Sequence, residues 1–437
     1  MHKGYVALVG SPNVGKSTIF NRLLGTRLAI VDDMPGVTRD RMYGKCSWLE
    51  HEFYLIDTGG IEVKDRPFQE EIRIQTEVAM EEADVIVFLA DGNLGVTKDD
   101  MLVSRLLRKF KKPIILAVNK VDNRSKEANL DDFYALGLGE PLLVSGVHGI
   151  GIGDLLDKIV SYLPKNIETN EDEGKICFTL VGRPNVGKSS LANAIVGEDR
   201  LITSSIEGTT RDAIDIDFRR DERTYKIIDT AGLKRRGKIY EAIDKYSALR
   251  ALKAIERSDI VLLLIDASTG IIEQDKHVIG YAIEQDKAII IVVNKWDLVE
   301  KNTNTMQEFE KKIRREFKFL DYAPIVFVSA LKKQRINTIF KAIDVAYDGY
   351  VSRIQTSLLN SVMEDAQIMN EAPDFNGGRL RIYYANQVSI KPPTIVLFCN
   401  DPNYVHFSYE RYLKNKLRET FVFDGSPIKL IFRRKSQ

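Results

Sequence analysis

Cysteine is scarce in this chain of 437 residues, which contains only Cys46, Cys177 and Cys399. The three lie far apart, so the sequence excludes a disulfide framework and predicts a reducing, cytoplasmic environment. Long apolar runs are also lacking, since none approaches the roughly 18–20 residues of a membrane span. There is no lipidation motif and no basic amphipathic helix, and the first residues lead directly into a strand-like run. We therefore expect neither a signal peptide nor a membrane partner.

A strong net charge is absent as well. The formal net charge is +1, and the hydrophobic fraction of 44% and charged fraction of 29% are typical of globular chains. The length is sufficient for two or three domains. Residues 350–437 carry 12 Lys or Arg against 8 Asp or Glu. A polyanionic partner is therefore expected there first, although a solvated surface is the ordinary explanation of any one charge cluster.

Two glycine-rich segments dominate the sequence. Residues 10–17 read GSPNVGKS and residues 182–189 read GRPNVGKS, and each matches the phosphate-loop pattern G-x-x-x-x-G-K-[ST]. Each follows an apolar, strand-like run and precedes a helical segment, so that backbone N–H groups and a helix N-terminus can surround a polyphosphate. The predicted contacts are Gly10, Ser11, Pro12, Asn13, Val14, Gly15, Lys16 and Ser17, and Gly182, Arg183, Pro184, Asn185, Val186, Gly187, Lys188 and Ser189.

Further motifs follow each loop. Thr38 lies in a polar stretch, and a strand then ends in Asp57-Thr58-Gly59-Gly60. Thr210 and Asp229-Thr230-Ala231-Gly232 repeat this arrangement 172 residues later. We expect each threonine and aspartate to hold magnesium, and the glycine N–H to contact the γ-phosphate only when that phosphate is present. The predicted magnesium set is Ser17, Thr38, Asp57, Ser189, Thr210 and Asp229.

Two short motifs predict the choice of base. Apolar runs end in Asn119-Lys120-Val121-Asp122 and in Asn294-Lys295-Trp296-Asp297. An aspartate carboxylate can accept hydrogen bonds from N1–H and the exocyclic amine of guanine, whereas adenine would leave a buried charge unpaired. Ser145 and Ser329-Ala330, which lie 184 residues apart, form small-residue turns whose N–H groups can reach guanine O6. The sequence therefore predicts two guanine-nucleotide sites.

Apolar runs alternate with helical patterns in both repeats, which predicts an α/β fold with doubly wound, mostly parallel sheets. We expect a first G domain at residues 1–164, an acidic linker at 165–174, a second G domain at 175–349 and a small α/β domain at 350–437. In residues 350–437 the Lys and Arg side chains could bind RNA phosphates, and the aromatic side chains could stack on bases. Taken one at a time, most of these aromatic side chains are expected in the hydrophobic core instead. These residues are Arg379, Arg381, Lys391, Arg411, Lys414, Lys416, Arg418, Arg433, Arg434 and Lys435, with Tyr383, Tyr384, Tyr404, Phe407 and Tyr412.

These motifs together resemble the Der (EngA) family of bacterial GTPases with two tandem G domains, over essentially the whole chain. The segment PPTIVLF at residues 392–398 matches as well. The resemblance implies GTP hydrolysis, a role in assembling the large ribosomal subunit with its RNA, and a KH-like C-terminal domain. Residues 350–437 contain no G-x-x-G, so the backbone clamp usual in KH domains is absent.

Ile61 and Leu233 occupy the position at which Ras-like enzymes carry a water-orienting glutamine, so we expect no side-chain base. Related GTPases with an apolar residue there use a potassium ion in place of an arginine finger, and Asn13 and Asn185 match the asparagine that binds it. Ribosomal RNA is the other candidate activator. The resemblance thus implies hydrolysis supported by magnesium, potassium and a short catalytic set: Lys16, Thr38, Gly60, Lys188, Thr210 and Gly232.

Two functions stay open from the sequence. One is a monomeric GTPase that binds or releases a ribosome precursor according to its bound nucleotide. The other is a regulatory switch at a protein or membrane partner, with hydrolysis as a timer. A basic run, Lys234, Arg235, Arg236 and Lys238, follows the second glycine motif. It could grip RNA in a GTP-dependent way, or it could be a solvated loop.

Overall fold

The computed structural model describes residues 4–25, 43–58, 83–108, 112–122, 130–164, 172, 174–198, 215–229 and 244–434. These residues form two compact units, and the boundary in the chain lies near residue 170. Among the helices in these ranges, none is both long and apolar enough to cross a membrane.

The first unit is a six-stranded sheet with the strand order β2-β3-β1-β4-β5-β6. All its neighbouring strands are parallel except β2 and β3. Its elements are β1 (Gly4–Gly10), α1 (Lys16–Gly25), β2 (Tyr43–Trp48), β3 (His51–Asp57), β4 (Val85–Asp91), α2 (Lys98–Leu107), β5 (Ile114–Asn119), α3 (Asp131–Tyr134), β6 (Leu142–Leu143) and α4 (Ile152–Tyr162).

The parallel strands are buried on both faces, as their uninterrupted apolar runs predict. Every residue of β1 and of β4 is buried. Because parallel strands end at the same edge of a sheet, Gly10, Asp57 and Asn119 come together at the carboxyl edge. This edge carries the predicted phosphate, magnesium and base motifs of the first repeat.

The second repeat builds the same sheet again. Its strand order is β12-β11-β10-β7-β9-β8, with β8 antiparallel to β9 and the remaining neighbours parallel. The elements are β7 (Lys175–Val181), α5 (Lys188–Glu198), β8 (Ile216–Arg220), β9 (Arg223–Ile228), α6 (Asp244–Arg257), β10 (Ile260–Asp266), α7 (Glu273–Glu284), β11 (Ala288–Asn294), α8 (Thr305–Glu316), β12 (Ile325–Phe327) and α9 (Ile336–Tyr350).

The C-terminal segment is a three-stranded sheet covered by two helices. Strand β15 is antiparallel to β16, and β16 is parallel to β17. A helix precedes this sheet, and the short strand β14 is followed by a longer strand that continues to Ser389. The elements are α10 (Thr356–Met369), β13 (Asp374–Phe375), β14 (Gly378–Arg379), β15 (Ile382–Ser389), β16 (Thr394–Cys399), α11 (Phe407–Thr420) and β17 (Lys429–Arg434).

Backbone hydrogen bonds join the C-terminal segment to the second G-domain sheet. The Ile289 N–H of β11 donates to the Gly425 carbonyl, and the Gly425 N–H donates to the Tyr322 carbonyl, each at 2.8 Å. Gly425 has φ +75°, and a Cβ atom there would lie 2.7 Å from Ala346 Cβ. A glycine is therefore required where the two parts of this unit meet.

Candidate functional site

The first phosphate loop is shaped by close backbone approaches. A Cβ atom on Gly10 would lie 2.3 Å from the Leu89 carbonyl oxygen, and one on Gly15, at φ +95°, would lie 2.4 Å from Asn119 Nδ2. The Lys16 ammonium is buried and donates to the Gly10 and Ser11 carbonyls at 2.8 and 3.0 Å. The lysine is thus folded over its own loop, where a polyphosphate can replace the carbonyls as its partner.

The second loop repeats this geometry. Lys188 donates to the Gly182 and Arg183 carbonyls at 2.6 and 2.8 Å. Gly187 has φ +97°, and a Cβ atom there would lie 2.3 Å from Asn294 Nδ2. Burial lowers the pKa of Lys188 to about 8, and the negative charge of Asp275 opposes part of that shift.

The structure brings together two predicted magnesium ligands of the first site. Ser17 Oγ donates to Asp57 Oδ2 at 2.8 Å. A hydroxyl and a carboxylate are hard oxygen donors of the kind magnesium prefers, so this pair fits the ion. In the second site Ser189 is the second residue of α5 and Asp229 directly follows β9, and the Asp229 N–H donates to Asp215 Oδ1 at 3.1 Å.

Asn119 links the phosphate loop to the base loop. Its Nδ2 donates to the Val14 carbonyl at 2.7 Å, and its Oδ1 accepts from the Gly146 N–H at 3.0 Å. Ser145 Oγ donates to Asp122 Oδ1 at 2.8 Å, which orients the predicted guanine acceptor. Three separate loops are therefore held in one arrangement by two side chains.

The second base loop has matching contacts. Asn294 Nδ2 donates to the Val186 carbonyl at 2.8 Å, and Asn294 Oδ1 accepts from the Ala330 N–H at 3.0 Å. A hydrogen bond from Ser329 lowers the pKa of Asp297. Trp296 is buried, with its ring centroid 4.6 Å from that of Phe327, so its side chain belongs to the core.

The lysines of both base loops make equivalent ion pairs. Lys120 Nζ donates to Asp91 Oδ2 and to the Asn13 carbonyl at 2.6 and 2.7 Å. Lys295 Nζ donates to Asp266 Oδ2 at 2.6 Å. Each lysine has positive φ, 67° and 61° respectively. The pair fixes the side chain beside the position predicted for the base.

Sequence reasoning missed a buried carboxylate beside each phosphate loop. Asp100 accepts from Ser11 Oγ at 3.0 Å and forms a capping box with Thr97 at the start of α2. Asp275 is fully buried near the start of α7, and the Arg183 Nε lies 3.8 Å from its Oδ1. Burial raises the pKa of Asp275. The spacing T-x-x-D at 97–100 is a helix-start signal that could have located the first of these residues.

Several predicted site residues lie outside the described residues, so their placement stays a prediction. They are Thr38, Gly59, Gly60, Ile61, Thr210, Thr230, Ala231, Gly232 and Leu233, together with the basic run Lys234, Arg235, Arg236 and Lys238. Of the remaining predicted contacts, Pro12, Asn13, Pro184 and Asn185 are exposed at the loops. Val121, within the first base loop, is buried.

Most basic side chains of the C-terminal segment have partners within the chain. Lys391 pairs with Asp259 at 3.0 Å, and the Arg418 guanidinium stacks on the Tyr322 ring with its Cζ 4.5 Å from the ring centroid. Further pairs are Arg379 with Glu371 and Asp374, Arg411 with Asp321, Lys414 with Glu410, Lys416 with Glu419, Lys429 with Asp286, and Arg434 with Asp401. Tyr383, Tyr384 and Phe407 are exposed.

Two phosphate loops, each joined by an asparagine to an N-K-x-D loop at the carboxyl edge of a parallel sheet, define a protein with two GTPase domains. A family model described as "50S ribosome-binding GTPase" matches residues 5–120 and 177–295. A second, "KH-domain-like of EngA bacterial GTPase enzymes, C-terminal", matches residues 353–433. The chain belongs to the Der family of GTPases; it binds guanine nucleotides and hydrolyses GTP.

The relatives include "GTPase Der" of Geobacillus thermodenitrificans, 57% identical over 428 residues, which covers 98% of both chains. "GTPase Der" of Staphylococcus carnosus is 55% identical over 436 residues, which covers 100% of both. Among solved structures, a variant of Aquifex aeolicus Era bound to GDP.AlF4- matches at 20% identity and a TM-score of 0.31, covering 78% of this chain and 99% of that chain.

Proposed function

We propose that this GTPase binds and releases the large ribosomal subunit during its assembly, with the nucleotide in its two G domains as the control. The observation that carries the proposal is the match of both G domains to a family described as 50S ribosome-binding GTPases, together with the KH-like segment. The excess of basic residues at 350–437 supports a ribosomal RNA contact.

The test is co-sedimentation of the full chain with ribosomal particles. Retention on the large subunit should be stronger with a non-hydrolysable GTP analogue than with GDP. Lys16→Ala and Lys188→Ala, made separately, should each remove part of this difference because each empties one site. Equal retention in both nucleotide states, or retention on small subunits alone, would reject the proposal.

We also propose the division of labour in each site. Ser17, Thr38 and Asp57, and likewise Ser189, Thr210 and Asp229, would hold magnesium, which supplies charge that neutralises the phosphates. Lys16 and Lys188 would move from the loop carbonyls to the β- and γ-phosphates. The Gly60 and Gly232 N–H groups would contact the γ-phosphate.

Potassium stimulation forms a further part of the proposal. Asn13 and Asn185 lie exposed at the tips of their loops, with φ of 62° and 64°. Asn13→Gly and Asn185→Gly keep this left-handed backbone and remove only the side-chain amide. We expect GTP hydrolysis to be faster in potassium than in sodium, and the two glycine variants to lose that difference while still binding GDP. A rate unchanged by the exchange of the two ions would reject it.

A further inference from the structure

The turn that follows each base loop has the same geometry in both repeats. Ser145 N–H donates to the Ile150 carbonyl at 2.9 Å, and the His148 N–H donates to Ser145 Oγ at 3.1 Å. In the second repeat Ser329 N–H donates to the Gln334 carbonyl at 3.2 Å, and the Lys332 N–H donates to Ser329 Oγ at 3.1 Å. His148 and Lys332 therefore occupy equivalent positions.

Both side chains face the predicted guanine acceptor of their site. His148 Nε2 lies 3.9 Å from Asp122 Oδ1, and Lys332 Nζ lies 3.8 Å from Asp297 Oδ2. The imidazole and the ammonium are each more than half exposed, at 58% and 56%. The equivalent position thus carries an ammonium group in the second repeat and an imidazole in the first, and histidine is the side-chain type whose charge changes near neutral pH.

We propose that His148 and Lys332 are positioning residues for the guanine-binding carboxylates. By this proposal the first site gains affinity for guanine nucleotides as the pH falls, whereas the second does not. The proposal rests on the assignment of Asp122 and Asp297 as guanine acceptors.

The expected direction of the change in affinity follows from the contacts that each Asp122 oxygen makes. Asp122 Oδ1 already accepts from Ser145 Oγ and is also the oxygen nearest to His148. An imidazolium of His148 would contact the same oxygen, Oδ1, as the Ser145 hydroxyl. The lone pairs of Oδ2 would then remain available to the guanine base. Binding of the base removes water from the carboxylate, and a neighbouring positive charge offsets part of that cost.

The other charged groups around this turn have partners of their own. Arg22 of α1 donates from Nε to the Gly146 carbonyl at 2.9 Å and also donates to the Val147 carbonyl, so its guanidinium stabilises the turn. Lys120 is engaged with Asp91. Among the described neighbours of His148, Asp122 is the carboxylate within reach.

The experiment measures GDP binding by the full chain between about pH 5.5 and 7.5, the range in which histidine changes charge. Asp297→Asn in the background confines guanosine binding to the first site, and Asp122→Asn confines it to the second. The first site should bind GDP about threefold more tightly at the lower pH, the size of effect expected for a half-exposed ion pair.

The matched variants exchange the two cations. His148→Lys should bind tightly across the range, and Lys332→His should give the second site the pH dependence of the first. GDP phosphate also titrates, but it contributes equally to parent and variant. If the first site and His148→Lys respond alike to pH, or if Lys332→His stays flat, the proposal is wrong. If Asp122→Asn leaves guanosine preference unchanged, the acceptor assignment fails instead, and the proposal with it.

Discussion

At the residue scale, Asn119 and Asn294 are the side chains that join the loops of each site. Each amide bonds to the phosphate loop on one side and to the small-residue turn on the other. The glycine opposite the amide leaves no room for a methyl group. Small substitutions around these asparagines should therefore affect the phosphate and base subsites together.

Gly15→Ala should abolish GDP binding at the first site. The new Cβ would lie 2.4 Å from Asn119 Nδ2 at φ +95°, so either the loop or the amide must move. Calorimetric titration should show the stoichiometry fall from two GDP per chain to one. In chemical denaturation, the strained backbone should lower the free energy of unfolding by roughly 1–3 kcal/mol.

Gly153→Ala is the matched control for this prediction. Gly153 lies within α4, where an added Cβ would meet no atom within 4 Å. Replacing a helical glycine by alanine should stabilise the chain by about 0.5–1 kcal/mol and leave both GDP equivalents in place. Two bound equivalents in the Gly15→Ala variant would contradict the account of the loop.

Nucleotide affinity at the second site should fall as the pH rises through about 8, the pKa to which burial lowers Lys188. Above that pH the amine of Lys188 is neutral in the free site and no longer offers a positive charge to the phosphates. Between about pH 8 and the ordinary lysine pKa of 10.5, binding of the nucleotide therefore requires Lys188 to take up a proton. The fold by itself favours the neutral amine, so the free energy of unfolding should rise with pH over the same interval. GDP titration in the Asp122→Asn background measures the effect on binding.

Asp275→Asn provides the second arm of this test. The carboxylate raises the pKa of Lys188 against the effect of burial, so its removal should move the loss of affinity to lower pH. Asp365→Asn, on the exposed face of α10, should leave the profile unchanged. Identical profiles for all three proteins would rule out an ionic role for Asp275.

At the scale of elements, the edge strand β15 is closed by two amide side chains of α10. Asn360 donates to the Ala385 carbonyl and accepts from its N–H, both at 2.8 Å. Gln367 does the same for Ile382, at 3.1 and 2.8 Å. The helix therefore satisfies backbone groups that a neighbouring strand would otherwise pair, which protects the sheet from edge-to-edge association.

Asn360→Ala should expose the Ala385 N–H and carbonyl. We expect a loss of about 1–2 kcal/mol in stability and increased self-association on heating. Thermal unfolding and light scattering measure the two effects, and Ser361→Ala, one residue further on the exposed face, is the control. A variant as stable and as monodisperse as the control would show that the amide contacts do not matter.

The sequence predicted buried parallel strands well and antiparallel edge strands poorly. Runs such as Val85–Asp91 and Ile260–Asp266 are apolar up to the aspartate that ends each of them, so the pattern alone identifies them. Strand β2 has mixed polarity and pairs with β3 through a turn at Leu49, whose φ of 54° is unusual for leucine. The turn carries none of the Asn-Gly or Asp-Gly signals of a tight hairpin, so the pairing was not visible in the sequence.

The base and phosphate motifs were predictable because their spacing is fixed by chemistry. Lys16, Asp57, Asn119 and Ser145 lie at one sheet edge, and their contacts with a nucleotide stay a prediction. Asp100 and Asp275 were not predicted because each is distant in sequence from the loop that it contacts. The T-x-x-D spacing at 97–100 indicates a helix start at Asp100, but nothing in the sequence indicates that either carboxylate lies against a phosphate loop.

At the scale of the whole molecule, the C-terminal segment and the second G-domain sheet belong to one compact unit. Gly425 forms backbone hydrogen bonds to β11 and to Tyr322. Ion pairs of 3.0 Å between Lys391 and Asp259 and between Lys429 and Asp286 flank this contact. Strand β11 ends at Asn294, so the same strand contacts the KH-like segment and leads into the predicted base-binding residues.

Gly425→Ala should destabilise this unit far more than Gly377→Ala. Both glycines have positive φ, +75° and +86°, so alanine costs roughly 1–2 kcal/mol in either position. At Gly425 the Cβ also meets Ala346 Cβ at 2.7 Å, whereas at Gly377 it meets no atom within 4 Å. Overpacking should add about 1–3 kcal/mol. Equal shifts in chemical denaturation for the two variants would contradict the close fit at Gly425.

We propose that one carboxylate in each of the two sites selects guanine. Equilibrium binding by the Asp122→Asn, Asp297→Asn double variant tests it most directly, because an amide presents one donor and one acceptor and so matches xanthine in place of guanine. We expect two GDP bound per chain in the parent and at least a roughly hundredfold loss of GDP affinity in the variant. The affinity of the variant for xanthosine diphosphate should rise. Undiminished preference for GDP in the double variant would contradict it.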